Sequence, residues 1–180
     1  MGRERSERNI STPVKAEILA RRGGEGWHEG HKRVTLLPKE HEMNVEEVFQ
    51  FMNGESLAVL ASATENGQPE AALMRFAVTP GLEIIFDTVK SSRKYPNLKK
   101  NPRVAWVIGC TTEVTVQYEG LAQELEGEEL AKCQKTYFAK FTDGPARLAW
   151  PAITYFVVHP KWVRYCDYNP GTRRIEEKKF

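Results

Sequence analysis

The sequence predicts a mainly β protein, an antiparallel barrel with a few flanking helices. Six short segments have the alternating or continuous apolar pattern of strands, and the links between them are rich in Asn, Gly and Pro. Three stretches show helical spacing instead. Strands joined in this way favour a barrel, because closing a sheet removes its exposed edges. The length of 180 residues, 41% of them hydrophobic, suits one domain with its own core.

We interpret residues 1–40 as a flexible N-terminal arm of mixed basic and acidic charge. Apolar residues are sparse there and follow no period, so the arm buries too little surface to offset its ordering entropy. Trp27 is its one large anchor. The arm either covers a ligand or a partner subunit, or it is a solvated tail. The folded domain is expected to span 41–168, followed by a polar, frayed tail at 169–180.

Regular structure is expected to begin with a helix at 44–54. Asn44 is a suitable N-cap, and Glu47, three residues later, completes a capping box. Apolar residues then recur at helical spacing up to Asn53-Gly54. This pair ends the helix, because both residue types tolerate the left-handed conformation that closes a last turn.

The predicted strands follow this helix in quick succession. An Asn-Gly turn at 65–68 indicates a hairpin between the first two strands, and a Thr-Pro-Gly turn at 79–81 joins the second to the third. Pro160 is expected to interrupt the last strand, which follows a loop at 142–151 with room for a short helix. The predicted strands are 56–64, 69–78, 82–88, 103–109, 113–125 and 153–165, and the predicted later helices are 92–100 and 127–140.

Charge and hydropathy exclude two classes of partner. The 26 Lys and Arg against 24 Asp and Glu leave a net charge of +2, whereas nucleic-acid-binding domains carry clustered excess cations. No apolar run approaches the roughly 18 residues of a membrane span. The first residues lack the apolar segment of a secretory signal. We therefore expect a cytoplasmic protein that binds neither nucleic acid nor membrane.

Neither the cysteines nor the histidines predict a metal site. Cys110, Cys133 and Cys166 are far apart and form no C-x-x-C pair, which argues against both a disulfide framework and zinc binding. His28 and His31 lie in a Gly-rich stretch and lack the H-E-x-x-H spacing of zinc proteases. No metal is expected.

The most informative stretch is FDTVKSSRKYPNLKKNPRVAWVI, in which a strand ends directly before a cluster of hydroxyls and cations. The hydroxyl-and-cation cluster is Thr88, Ser91, Ser92, Arg93 and Lys94. Backbone N–H groups at the start of the next helix add unsatisfied donors. This combination indicates an anion site, most naturally for a phosphate. The alternative is that Ser92 only caps the helix and that the two cations are solvated.

The order of elements and this motif resemble the pyridoxamine 5'-phosphate oxidase-like family, the FMN-binding split barrels. The resemblance runs from about Asn44 to Tyr165 and is carried by SLAVLASATENGQPEAAL, IIFDTVKSSRKYPNLKKNPRVAWVI, VTVQYEGLAQEL and FVVHPKWVRYCDY. It implies a six-stranded antiparallel split β-barrel of the Greek-key type. It also implies FMN as cofactor and a homodimer with its two flavin sites at the interface.

The resemblance also implies a set of site residues. Within the hydroxyl-and-cation cluster, the residues that would hold the flavin phosphate are Thr88, Ser92, Arg93 and Lys94. The strand Met74–Val78 would lie along the flavin ring. Arg75 falls near the flavin, although a place on the outer face of the barrel is the alternative. Phe76 and Ala77 would present backbone groups to the ring, and Asp87 would lie beside the ribityl chain. The cofactor-binding residues expected in all are Met74, Arg75, Phe76, Ala77, Asp87, Thr88, Ser92, Arg93, Lys94, Thr115 and Trp150.

The chain departs from the family pattern on the strand VTVQYEG and at its C-terminal segment. Thr115 stands where members that oxidise pyridoxamine phosphate carry a glutamine, and Gln117 follows two residues later. Those members also end in a segment containing Trp and Arg, whereas this chain ends in TRRIEEKKF. Vitamin B6 oxidase activity is therefore not expected, and only the flavin site is carried over. Trp150, in a loop, is the tryptophan best placed to stack on a flavin.

The leading functional hypothesis is an FMN-dependent oxidoreductase that passes electrons through flavin N5 to or from a small substrate or NAD(P)H. The sequence contains no evident acid–base or nucleophile set, which fits chemistry supplied by a cofactor. A non-catalytic electron carrier or stress-related flavin reservoir fits equally well. A split barrel that uses haem or a deazaflavin is a further alternative, and a haem protein would need an axial ligand such as His159.

Overall fold

The computed structural model describes residues 42–180, so the predictions for the N-terminal arm, including Trp27, His28 and His31, lie outside the described residues. Between residues 42 and 180 no helix is long and apolar enough to cross a membrane. The helices are α1 (Val45–Gly54), α2 (Lys94–Lys100), α3 (Gly127–Lys140) and a 3₁₀ helix (Gly144–Ala149). The strands are β1 (Leu57–Ala63), β2 (Pro69–Arg75), β3 (Ala77–Val78), β4 (Ile84–Val89), β5 (Arg103–Ile108), β6 (Val114–Glu124), β7 (Ile153–Asp167) and β8 (Arg174–Lys179).

The strands form one curled antiparallel sheet, which confirms the mainly β fold class with flanking helices. The strand order is β2-β1-β5-β6-β7-β4-β3, and β8 pairs with β7 beside this path. The β1–β2 hairpin turns as predicted, with Gly67 at φ +81° in the left-handed region that its Asn-Gly turn requires. Because β4 pairs with β7 and β1 pairs with β5, strands distant in the sequence become neighbours.

The sheet has eight strands where six are predicted, partly because the predicted strand at 69–78 is two strands. β2 pairs with β1, whereas β3 pairs with β4. The two ladders lie at opposite ends of the strand order, so the chain must leave one ladder before it joins the other. Phe76 lies between β2 and β3, where the chain passes from one ladder to the other, and its side chain is completely buried among apolar residues.

The C-terminal part of the sheet also differs from the prediction. β7 continues through Pro160, because a register shift between Glu119 and Gly120 places the proline at a bulge. Gly120 has no room for a side chain there, since a Cβ atom would lie 2.6 Å from the His159 carbonyl oxygen. The tail expected to be frayed pairs with β7 as β8 at 174–179.

Helix α1 begins as predicted, but its capping box is only half formed. The side chain of Asn44 accepts a hydrogen bond from the Glu47 backbone N–H at 3.3 Å. The Glu47 carboxylate contacts the Arg174 guanidinium of β8 rather than completing the box. The first helix is therefore joined to the last strand.

Two apolar clusters hold the sheet and its helices together. The main core surrounds Trp106, whose ring meets Phe86 at 5.3 Å between centroids, and Phe86 stacks on Phe156 at 5.5 Å. A second cluster packs α3 on the sheet, with the Tyr137 and Tyr155 rings 5.8 Å apart. The second cluster packs α3 against β4 and β7.

Glu124, at the end of β6, anchors the segment that follows β4. Its carboxylate accepts hydrogen bonds from Thr154 Oγ1 at 2.8 Å and from Lys99 Nζ at 2.9 Å, and Lys90 Nζ lies 3.3 Å away. Tyr95 donates its hydroxyl at 3.2 Å. Burial alone raises the pKa of Glu124, but these donors outweigh burial and bring the pKa down to about 2. The carboxylate thus holds the chain on both sides of Ser92 in place.

The variant Glu124→Gln is expected to lower the free energy of unfolding by about 1–3 kcal/mol at pH 7, because it weakens several charged hydrogen bonds. The folded-state pKa of about 2 lies below the ordinary value of 4.5, so the carboxylate stabilises the fold fully above pH 4.5. That contribution is lost as the pH falls towards 2. Urea unfolding at pH 7 and pH 3 measures both effects. Glu119→Gln, an exposed change on the same strand, is the control, and an equal loss in both variants would contradict the prediction.

Candidate functional site

A groove of about 460 Å³ lies where the ends of β2 and β4 meet the 3₁₀ helix. It brings together most of the side chains that the sequence predicts for a cofactor site. The predicted residues that line it are Met74, Arg75, Asp87, Thr88, Ser92, Lys94 and Trp150. Residues from five separate elements or loops therefore converge on one concave surface, as is usual for small-molecule sites.

Two hydroxyls and one amine are among the polar groups that line the groove. Thr88 Oγ1 and Ser92 Oγ lie 2.9 Å apart and share a hydrogen bond. A tight turn produces this approach, because the Ser92 backbone N–H donates to the Val89 carbonyl oxygen at 3.0 Å. Lys94 follows and is half-buried, and burial lowers the pKa of its amine while the negative charge of Asp87 opposes that shift. Among the residues that the structure describes, Lys94 forms no ion pair.

The interpretation that Ser92 merely caps the helix is wrong. α2 begins at Lys94, two residues later than predicted, and Arg93 occupies the N-cap position without a capping side chain. The Ser92 side chain bonds to Thr88 instead. Both hydroxyls therefore face the groove rather than the helix.

Arg93 does not line this groove, although the sequence predicts that it joins Lys94 there. Its guanidinium forms an ion pair with the Glu70 carboxylate of β2. The side chain of Arg93 is 83% exposed. Of the two consecutive cations, therefore, only Lys94 lines the groove.

An ion pair between Asp87 and Arg147 forms the floor of the groove. Asp87 is 2% exposed, and its Oδ2 lies 3.0 Å from Arg147 Nη2. This contact is electrostatic rather than a well-aligned hydrogen bond, because Asp87 Oδ2 has no hydrogen-bond partner. Tyr137 donates its hydroxyl to Asp87 Oδ1 at 3.1 Å and accepts from Arg147 Nη1 at 3.2 Å. Burial raises the pKa of Asp87, and Arg147 and Tyr137 partly offset that rise.

Sequence reasoning missed Arg147 and Tyr137. The helical spacing of 127–140 predicts a buried face for α3, but it does not say which strand that face meets. Arg147 lies close in the sequence to Trp150, which is a predicted site residue, so the prediction of Trp150 already indicated this part of the chain. Its guanidinium lies 4.6 Å from the centre of the Trp150 ring, which leaves the tryptophan 49% exposed at the groove.

Arg75 lies at the rim of the groove. Its guanidinium makes two contacts with the Asp143 carboxylate, at 2.7 and 3.0 Å, and lies 5.3 Å from the Phe141 ring centre. Both charged side chains are substantially exposed, at 44% and 59%. The lining arginines of the groove are therefore each matched by one carboxylate.

Three further predicted residues lie outside the groove. Phe76 fills the main core, and Ala77 is buried in the second cluster beneath α3. Thr115 lies near the start of β6, opposite Cys166 of β7. His159, the candidate haem ligand, pairs through Nδ1 with Glu83 Oε1 at 3.1 Å and does not line the groove. Within residues 42–180 no three His, Cys, Asp or Glu side chains gather as a metal site.

Comparison with known families and proteins gives one family match. The family model described as pyridoxamine 5'-phosphate oxidase matches residues 45–167. No curated protein matches the chain.

Several solved structures share the fold. A haem-binding protein from Mycobacterium smegmatis is 19% identical with a TM-score of 0.65; the match covers 75% of this chain and 57% of that protein. A conserved hypothetical protein from Mycobacterium tuberculosis is 25% identical with a TM-score of 0.60, covering 72% and 88%. HutZ, the haem storage protein from Vibrio cholerae, is 16% identical with a TM-score of 0.57, covering 66% and 92%. The chain thus spans little more than half of the first of these proteins.

The variant Arg147→Met is expected to lower the free energy of unfolding by about 3–5 kcal/mol, because it leaves a buried carboxylate without its cation. Adding Asp87→Asn should recover a large part of that loss, since the remaining amide carries no charge. Urea unfolding of both single variants and the double variant measures the coupling. Purely additive losses would contradict the role assigned to the ion pair.

Proposed function

The chain belongs to the pyridoxamine 5'-phosphate oxidase family, and we propose that it binds FMN in the groove as an oxidoreductase. One observation carries the proposal. The Thr88–Ser92 hydroxyl pair lies beside Lys94, the lining cation that has no carboxylate partner among the described residues. A phosphate monoester would supply the missing negative charge.

The chemistry of these donors fits a phosphate. Two hydroxyls that share a single hydrogen bond retain at least one O–H donor for a ligand. The Lys94 ammonium adds up to three charged donors, and charged hydrogen bonds to phosphate are short and strong. Arg75 and Arg147 are already matched by Asp143 and Asp87. An anion would therefore be drawn to the Lys94 side of the groove.

The apolar lining of the groove suits the flat ring of a flavin. Leu57 and Leu73 are exposed at 47% and 64%, and Trp150 presents an exposed indole. Met74 and Ile153 complete this surface. These residues would hold and orient the ring of a flavin, and the cofactor would supply electron transfer through its N5 atom. The electron partner would be a small substrate or NAD(P)H.

A flavin carrier or reservoir would use the same groove. Mixing the flavin-loaded protein with NADH and NADPH in a stopped-flow instrument separates the two functions. If the protein is an oxidoreductase that takes electrons from a nicotinamide, the flavin should be reduced and its absorbance should fall rapidly. If the protein is a reservoir, the flavin absorbance should persist.

Haem is the second candidate cofactor, because two of the structural neighbours are described as haem-binding or haem-storage proteins. The groove does not include His159, but it does include Met74, and methionine sulfur is a known axial ligand of haem iron. A porphyrin would leave the hydroxyl pair and Lys94 without a phosphate. The absorbance of the purified protein decides between a flavin spectrum and a haem Soret band.

We further propose that a second copy of the chain covers the outer face of the sheet next to the groove. Val59 pairs with Leu73 on one side and with Val107 on the other, so apolar side chains adjoin across three strands. Leu73 and Val107 are 64% and 42% exposed. Leu57 and Leu73 belong to both this face and the groove. A homodimer formed here would have its flavin sites at the interface.

The variant Lys94→Ala is expected to weaken FMN binding by about 10- to 100-fold, because a charged hydrogen bond contributes ~1.5–3 kcal/mol. Its affinity for riboflavin, which has no phosphate, should stay the same. Quenching of flavin fluorescence measures both affinities. Lys100→Ala, which removes a surface lysine paired with Glu65 at 3.7 Å, is the matched control. Unchanged FMN affinity in Lys94→Ala would reject this phosphate site.

The variant Leu73→Asp is expected to raise the dimer dissociation constant by about a hundredfold, since central interface substitutions cost ~2–4 kcal/mol. Unfolding of the monomer should change little, because the side chain is exposed there. Sedimentation velocity over a concentration series provides the test. Ile175→Asp, an equally drastic change at a 45% exposed position on β8, is the control. A wild-type protein that stays monomeric throughout would refute the dimer.

A further inference from the structure

Arg93 is held outside the groove by a carboxylate that has an anchor of its own. Glu70 Oε1 forms the ion pair with Arg93, and Glu70 Oε2 accepts a hydrogen bond from Asn97 Nδ2 at 2.9 Å. Asn97 is buried and also donates to Ser62 Oγ at 3.3 Å. The Glu70 side chain is only 16% exposed. Its position therefore does not depend on Arg93.

The two partners of this ion pair differ in freedom. The hydrogen bond from Asn97 holds the Glu70 carboxylate in place, whereas the Arg93 side chain is 83% exposed. Little packing therefore opposes a change of rotamer in Arg93. The hydrogen bond from Arg93 lowers the pKa of Glu70, so the carboxylate stays ionised at neutral pH.

Lys94 connects this ion pair to the groove. A second cavity of about 460 Å³ is lined by Ser62, Glu70, Arg93 and Lys94, and Lys94 also lines the groove. Arg93 stands between Ser92 and Lys94 in the chain, and both neighbours contribute side chains to the groove. An anion held by those neighbours would attract Arg93 and compete with Glu70 for it.

We propose that Glu70 is a positioning residue that limits the affinity of the groove for a phosphate monoester by holding Arg93 away from it. This inference rests on the proposed function, since it assumes that the groove binds the phosphate of FMN. The charges of Glu70 and Arg93 cancel, so the incoming dianion meets one uncompensated cation, Lys94, instead of two. Removing the carboxylate would leave both cations available to the phosphate.

The test begins with Glu70→Gln, which keeps an oxygen for Asn97 but removes the charge that holds Arg93. FMN should bind about tenfold more tightly than to the wild type, a gain typical of one added charged hydrogen bond. Riboflavin affinity should not change, because riboflavin has no phosphate for Arg93 to contact. A purely structural effect of the substitution would instead change the affinities for both ligands alike. Glu65→Gln is the matched control, since it removes a carboxylate from the same hairpin and breaks a pair with Lys100 of α2. That control should leave FMN affinity unchanged.

Arg93→Gln then shows whether Arg93 carries the effect. In the wild-type background the change should alter FMN affinity by less than about threefold, whereas with Glu70→Gln it should abolish the tenfold gain. Weaker FMN binding in Glu70→Gln, or a large loss in Arg93→Gln alone, would overturn the inference and show that Arg93 already contacts the phosphate.

The proposed function and this inference fail in different ways. If the wild type binds FMN but Glu70→Gln gives no gain, only the role of Glu70 is rejected. If neither protein binds FMN, the flavin site is rejected together with the inference. Fluorescence titration with FMN and with riboflavin distinguishes these results without an activity assay.

Discussion

The buried charge of Asp87 is the constraint on which the groove depends. A carboxylate that is almost fully inaccessible is tolerated only where a cation and hydrogen bonds compensate it. Arg147 and Tyr137 supply this compensation from the 3₁₀ helix and from α3. The same contacts hold these helices against the end of β4 and bring Trp150 to the rim. Arg147, which compensates the charge of Asp87, thus also lines the groove.

Carboxylates also determine which cations of the site remain available. Asp143 and Asp87 match the arginines of the groove, and Glu70 matches Arg93 beside it. Of the cations that line the groove, Lys94 is the one that forms none of these ion pairs. This distribution favours a ligand of limited negative charge, placed next to the hydroxyls rather than spread along the groove.

The fold by itself does not select a cofactor. Structures that are 16–19% identical to this chain and share its fold include proteins described by their binding or storage of haem. A curled antiparallel sheet provides a rigid concave surface, and the side chains along that surface determine what binds there. In this chain those side chains are a hydroxyl pair, one available amine and an apolar rim, and this set favours a phosphorylated planar ligand.

Local signals in the sequence determined the elements of this protein and a large part of its candidate site. The Asn44 cap, the Asn-Gly hairpin and the alternation of β5 depend on neighbouring residues alone, and the Thr88–Lys94 motif is likewise contiguous. Only the tertiary structure decided that Arg93 turns to Glu70, that Arg147 meets Asp87, and that β8 joins the sheet. The physical reason is that ion pairs and strand pairs between distant segments depend on where the fold places their partners, and no spacing along the chain records that placement.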